Sequence, residues 1–64
     1  MTHDTKPVVG VPWVDADGMK VEPVELMGVG GERGLYVKVD DGAVWWWSRV
    51  TWDQWAANAG KVTK

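Results

Sequence analysis

The sequence predicts an α+β fold: a small antiparallel sheet of about four strands, arranged as two hairpins, with one short C-terminal helix. Three observations carry this reading. Apolar and polar residues alternate through Leu35–Val39, and Asp41-Gly42 then leads into a second β-prone run, Ala43–Val50. Thr51-Trp52-Asp53-Gln54 opens a stretch whose apolar residues recur at helical spacing. The chain has 64 residues and no Cys, so one small core, unsupported by disulfides, must serve all of these elements.

The elements follow in chain order. Residues 1–7 are polar, end at Pro7 and read as a flexible N-terminal tail; residues 8–60 form the single domain, and 61–64 a short basic tail. Val8–Val14 is β-rich but contains Gly10 and Pro12, which fits only an edge strand. Asp15-Ala16-Asp17-Gly18 reads as a turn. Met19–Met27 follows as a second strand whose alternation slips at Pro23, as a bulge at an edge would produce. Four glycines between Gly28 and Gly34 read as a mobile loop before the Leu35–Val39 strand. In the helix, Thr51 is the expected N-cap, Gln54 closes a capping box, and Trp52, Trp55, Ala56 and Ala59 share one face. Gly60 fits the position just beyond the C-terminus. So short a helix is stable only when docked, and its indoles are the means of docking. In outline the arrangement resembles small SH3-like or chromo-like barrels closed by a helix, a likeness that implies no function.

Composition excludes several function classes. Seven basic and nine acidic residues leave a net charge of −2, which argues against a general electrostatic grip on nucleic acid. No apolar run approaches membrane-spanning length, and residues 1–10 lack the apolar core of a signal peptide, so a cytoplasmic location is expected. With no Cys, and His3 alone in a polar stretch, no metal site or other cofactor is expected. Asp15 and Asp17 lack the further oxygen ligands of a calcium loop, and the glycine loop leads into a strand rather than the helix N-terminus that phosphate loops require. No nucleophile has a base within sequence reach, so the chain is not expected to be an enzyme.

What needs explaining is tryptophan. Trp45-Trp46-Trp47 stand in one predicted strand, with Trp52 and Trp55 close behind and Trp13 making six. Successive strand residues point to opposite faces, so large indoles leave this strand on both sides and one core shelters only one of them. Register decides which. A two-residue loop at Asp41-Gly42 places Val37, Val39, Val44 and Trp46 inward, to hold the fold with Trp52 and Trp55. It leaves Tyr36, Lys38, Trp45, Trp47 and Arg49 together on the other face. A three-residue loop, Asp40-Asp41-Gly42, turns Trp45 and Trp47 inward instead and leaves Trp46 outside with Tyr36 and Lys38. The first register keeps an aliphatic core face and is the one expected. The surplus indoles are then either packed against the other tryptophans or held out to a partner.

The run Thr51-Trp52-Asp53-Gln54-Trp55-Ala56-Ala57 resembles the closing helix of BldB-like actinobacterial domains of unknown function. The likeness covers about a dozen residues of helix with a cap; the family's upstream Ser-Lys-Pro-Gly pattern is absent, and no function is carried across. The composition, rich in Val, Gly, Ala, Asp and Trp and without Ile or Phe, resembles that of small actinobacterial or phage proteins. The functional expectation is a non-enzymatic protein–protein interaction module, of the kind a phage-type accessory protein would use on a host protein. It would bury Tyr36, Lys38, Trp45, Trp47 and Arg49 against another protein or a second copy of itself. The alternative is single-stranded nucleic-acid binding by aromatic stacking.

Overall fold

The computed structural model of the chain describes residues 4–62. They form one antiparallel sheet of five strands, β1 (Trp13–Asp15), β2 (Lys20–Met27), β3 (Gly34–Val39), β4 (Val44–Ser48) and β5 (Ala59–Lys61), in the order β4-β3-β2-β1-β5. A single helix, α1 (Arg49–Ala56), lies between β4 and β5, and a 3-10 turn occupies Val29–Gly31. The α+β class is as expected. The fifth strand is additional, and the helix is followed by it rather than closing the chain.

Local chemistry explains most boundaries. Asp15 ends β1 and builds the next turn: its Oδ1 accepts from the Asp17 and Met19 amides at 3.0 and 2.9 Å. The expected slip in β2 is present between Pro23 and Glu25, where the register against β3 shifts. Pro23 is tolerated because β1 pairs only with Lys20 and Val21. Beyond them β2 meets no strand on that side, only the Gly10 amide donating to the Pro23 carbonyl at 3.0 Å. The glycine segment is more structured than a mobile loop: Gly31 is buried at its 3-10 turn, where an added Cβ would come within 3.3 Å of Leu26 and 3.4 Å of Pro7.

The helix begins earlier than the capping box at Thr51 suggests. Ser48 is the N-cap, its Oγ accepting from the Thr51 amide at 3.2 Å. The helix therefore runs over Arg49–Ala56, and Asp53 lies a turn inside it, paired with Arg49 at 3.0 Å. The shift of three residues is nearly one helical turn, so the same face still points inward. Trp52 and Ala56 are buried, whereas Ala59 and Gly60 leave the helix and join β5.

The core is Trp13, Val21, Leu35, Val37, Trp52 and Ala56, with Met19, Leu26, Val39, Trp47, Trp55 and Ala59 packed around it. Trp52 is its hub, with ring centroids 5.3 Å from Trp13, 5.4 Å from Trp55 and 6.3 Å from Trp47. Both buried-side indoles of the helix make long-range bonds that fasten it: Trp52 Nε1 donates to the Thr5 carbonyl at 2.6 Å and Trp55 Nε1 to Asp15 Oδ2 at 3.0 Å. Described residues of both expected tails also make contacts in the fold. Thr5 also bonds Asp53 and Pro7 is fully buried, while Lys61 pairs with Trp13 in the sheet. His3, read as taking no part in a metal site, and the ends of both expected tails lie outside the described residues. No helix among the described residues is long and apolar enough to cross a membrane.

Candidate functional site

The hairpin register is the three-residue one. Leu35 faces Trp47, Tyr36 faces Trp46, Val37 faces Trp45 and Lys38 faces Val44. The loop is Asp40-Asp41-Gly42, closed by Gly42 N–H to the Val39 carbonyl at 2.8 Å and Val39 N–H to the Ala43 carbonyl at 2.9 Å. The expected two-residue loop is therefore corrected. A type I′ turn needs positive φ at both central residues, and among the described residues only glycines have it. Gly42, at φ 88°, takes the left-handed position alone.

This register divides the five residues expected to share one face. Trp47 turns inward and packs on Trp55, with ring centroids 5.7 Å apart, and on Trp52. Trp45 lies on the same helix-bearing side opposite Val37, but near the hairpin end, and remains 57% exposed. Tyr36 and Lys38 occupy the reverse face. Arg49 belongs to the helix, where Nε holds Asp53 and Nη1 donates to the Gly30 carbonyl at 3.2 Å, so its duty is structural. Trp46 and Val44, expected to hold the fold, are instead exposed at 48% and 55%. Val37, Val39, Trp52 and Trp55 do hold it.

On the reverse face Trp46 meets Tyr36 edge to face, with centroids 5.2 Å apart. Its ring lies directly over Gly34: a Cβ there would sit 2.6 Å from two Trp46 ring carbons and from the Trp47 carbonyl. Glycine at 34 is thus what lets the indole lie flat on the sheet. Val44 and Lys38 continue this aromatic surface toward the hairpin tip.

Both surfaces meet at β4, a sheet edge. Backbone groups alternate along an antiparallel strand. Since Ala43 bonds inward to Val39, the amides and carbonyls of Trp45 and Trp47 also face β3, and those of Val44 and Trp46 point to the open side. The site is therefore an uncharged strand edge with two outward donor–acceptor sets that no strand among the described residues meets, an exposed indole above it and another below. The aromatic excess is legible in the sequence but this edge is not, because edge position is a property of strand order.

The nearby charges are balanced. A groove of about 280 Å³ on the reverse face is lined by Lys20, Glu22, Lys38, Val39, Asp40 and Gly42. Its two cations stand against two carboxylates, which makes no track for a phosphate backbone. Among the described residues, the Asp15 carboxyl has a pKa that departs clearly from its ordinary value. The Met19 amide, and then the Trp55 indole and the Asp17 and Gly18 amides, hold its carboxyl below the usual range, although partial desolvation opposes them. That carboxylate is structural. Among the described residues no three His, Cys, Asp or Glu side chains cluster as a metal ion would require. No protein-family model, curated protein or solved structure matches the chain, so the short helix resemblance extends to no family, and any functional reading stands on the geometry.

Proposed function

We propose that this chain is a small non-enzymatic interaction module that binds another protein chain, a different protein or a second copy of itself, through the tryptophan-flanked β4 edge. The observation that carries the proposal is the exposure of Trp45 and Trp46, 57% and 48%, on opposite sides of one uncharged edge strand. Large aromatics with backbone groups open beside them supply desolvated area and directional bonds together, the combination used in strand-addition recognition. The contact set is Trp45, Tyr36 and Lys38 from the original expectation, joined by Trp46 and Val44. Trp47 and Arg49 act behind it as support. A phage-type accessory protein acting on a cytoplasmic host protein is the setting we propose, from size and composition.

The Tyr36–Trp46 pair beside Lys38 also supports the rival reading, single-stranded nucleic acid stacking on aromatics. One set of measurements separates the two. Affinity capture from host lysate should yield a partner with the parent chain that is lost with Trp45→Ala/Trp46→Ala, while circular dichroism shows that variant still folded. Quenching of tryptophan emission by oligonucleotides, with affinity falling steeply as salt rises, would instead establish the nucleic-acid reading. Emission wholly blue-shifted and inaccessible to aqueous quenchers would refute both.

A further inference from the structure

The three stretches of open sheet edge in this fold are not equivalent. The outer half of β2 carries Pro23 between Glu22 and Glu25 and is met by Gly10. At the far edge, β5 has three residues, Ala59-Gly60-Lys61, and ends on a charge. Both are blunted by the devices that suppress edge pairing: proline, charge and shortness. The third, β4, carries neither proline nor charge. Its sequence is Val44-Trp45-Trp46-Trp47-Ser48, without charge, proline or bulge.

We infer that β4 pairs antiparallel with β4 of a second copy of this chain, around a two-fold axis through Trp45. This rests on the interaction reading above and names the partner. Ser48 leaves the sheet as the helix cap, so the usable outward groups are those of Val44 and Trp46. The two-fold that pairs them passes between them, at Trp45. Val44 then lies opposite the second copy's Trp46, forming about four hydrogen bonds across the pair of edges. Trp45 meets its own counterpart at a close, non-hydrogen-bonded position on the helix-bearing side. On the reverse face each Trp46 gains an aromatic–valine contact.

The charges agree with this register. In this antiparallel register the hairpin end of one β4 runs alongside the Ser48 end of the other, where a helix begins whose first turn contains no acidic residue. The acidic hairpin tip of each copy, Asp40-Asp41, is thus placed against the positive end of the other copy's helix. A parallel arrangement would instead set tip against tip. The exposed parts of Trp45 and Trp46 add roughly 200 Å² per copy, and the whole interface falls below the roughly 1,200 Å² of a standard stable complex. The dimer is therefore weak and depends on concentration.

Two measurements test this. Sedimentation of the parent from about 10 µM to 1 mM should show a monomer–dimer equilibrium. Val44→Pro removes an outward amide that the fold itself does not use, and should raise the dimer Kd by about tenfold or more. Because the parent has no Cys, Trp45→Cys carries a single thiol. Mild oxidation should convert it to a covalent dimer faster than Val29→Cys, which is 86% exposed but lies off the edge. A parent that stays monomeric throughout, a dimer insensitive to Val44→Pro, or equal cross-linking at the two cysteines overturns self-pairing at β4. Self-pairing overturned while partner capture remains sensitive to Trp45→Ala/Trp46→Ala leaves the interaction reading standing. Loss of that sensitivity as well removes both.

Discussion

Removing the Trp52 side chain should nearly abolish folding, whereas removing Trp45 should not. Trp52 is fully buried, touches Trp13, Trp47 and Trp55, and ties the helix to the Thr5 carbonyl. Burial of a whole indole removes about 150–250 Å² from water, and Trp→Ala in a core costs about 3–5 kcal/mol. A chain of 64 residues has a total stability of only about 3–10 kcal/mol. Trp52→Ala therefore removes from about a third to all of what holds the fold. Trp45 has 43% of its surface covered, the remainder of its 57% exposure, so at most about 2 kcal/mol is at stake. The assay is urea unfolding followed by far-ultraviolet circular dichroism, because tryptophan emission changes with the substitutions themselves. A sharp drop in midpoint, or no folded baseline, is expected for Trp52→Ala, with a modest shift for Trp45→Ala. Equal losses in the two variants would refute the division of the tryptophans into a packed group and an exposed pair.

Two further predictions concern the polar supports. Asp15 is ionised in three bonds, to the Met19 and Asp17 amides and the Trp55 indole, and its folded pKa lies below its unfolded value. Its contribution is thus complete above the ordinary carboxylate pKa and is lost as pH falls through the depressed folded value. Urea midpoints taken between pH 5 and pH 2 should fall less steeply in Asp15→Asn than in the parent, and parallel slopes would exclude the effect. Ser48→Ala should cost about 1 kcal/mol by the same unfolding assay, because it removes the acceptor for the Thr51 amide. Were Thr51→Ala the costlier of the two, the helix would start where the capping box places it.

Much of this fold is legible from local chemistry. The Asp15 turn, the slip at Pro23, the alternation of β3, the hairpin at Asp41-Gly42 and a capped helix bearing Trp52 and Trp55 all follow from residue type and period. The sequence places the helix start at Thr51 rather than Ser48, because Ser48 ends a β-prone run and Thr51 offers an equally good cap within one turn. Local sequence does not fix the hairpin register, because Asp-Gly serves a two-residue and a three-residue loop alike. The sheet-wide arrangement favours the latter, with Asp40 reaching back to accept the Lys20 amide at 3.2 Å. No local pattern marks Ala59-Gly60-Lys61 as a strand. It pairs because β1 leaves an open edge for Trp13, Val14 and Asp15 to share.

The amino-acid order by itself settled that indoles must leave both sides of β4, since strand side chains alternate whatever the surroundings. Only the tertiary structure decided which indoles were sheltered. The helix docks over Trp47 and leaves Trp45 exposed, and the three-residue turn sends Trp46 to the face that no helix or strand among the described residues covers. Those outcomes depend on strand order and on contacts between residues distant in the chain, which local periodicity does not encode.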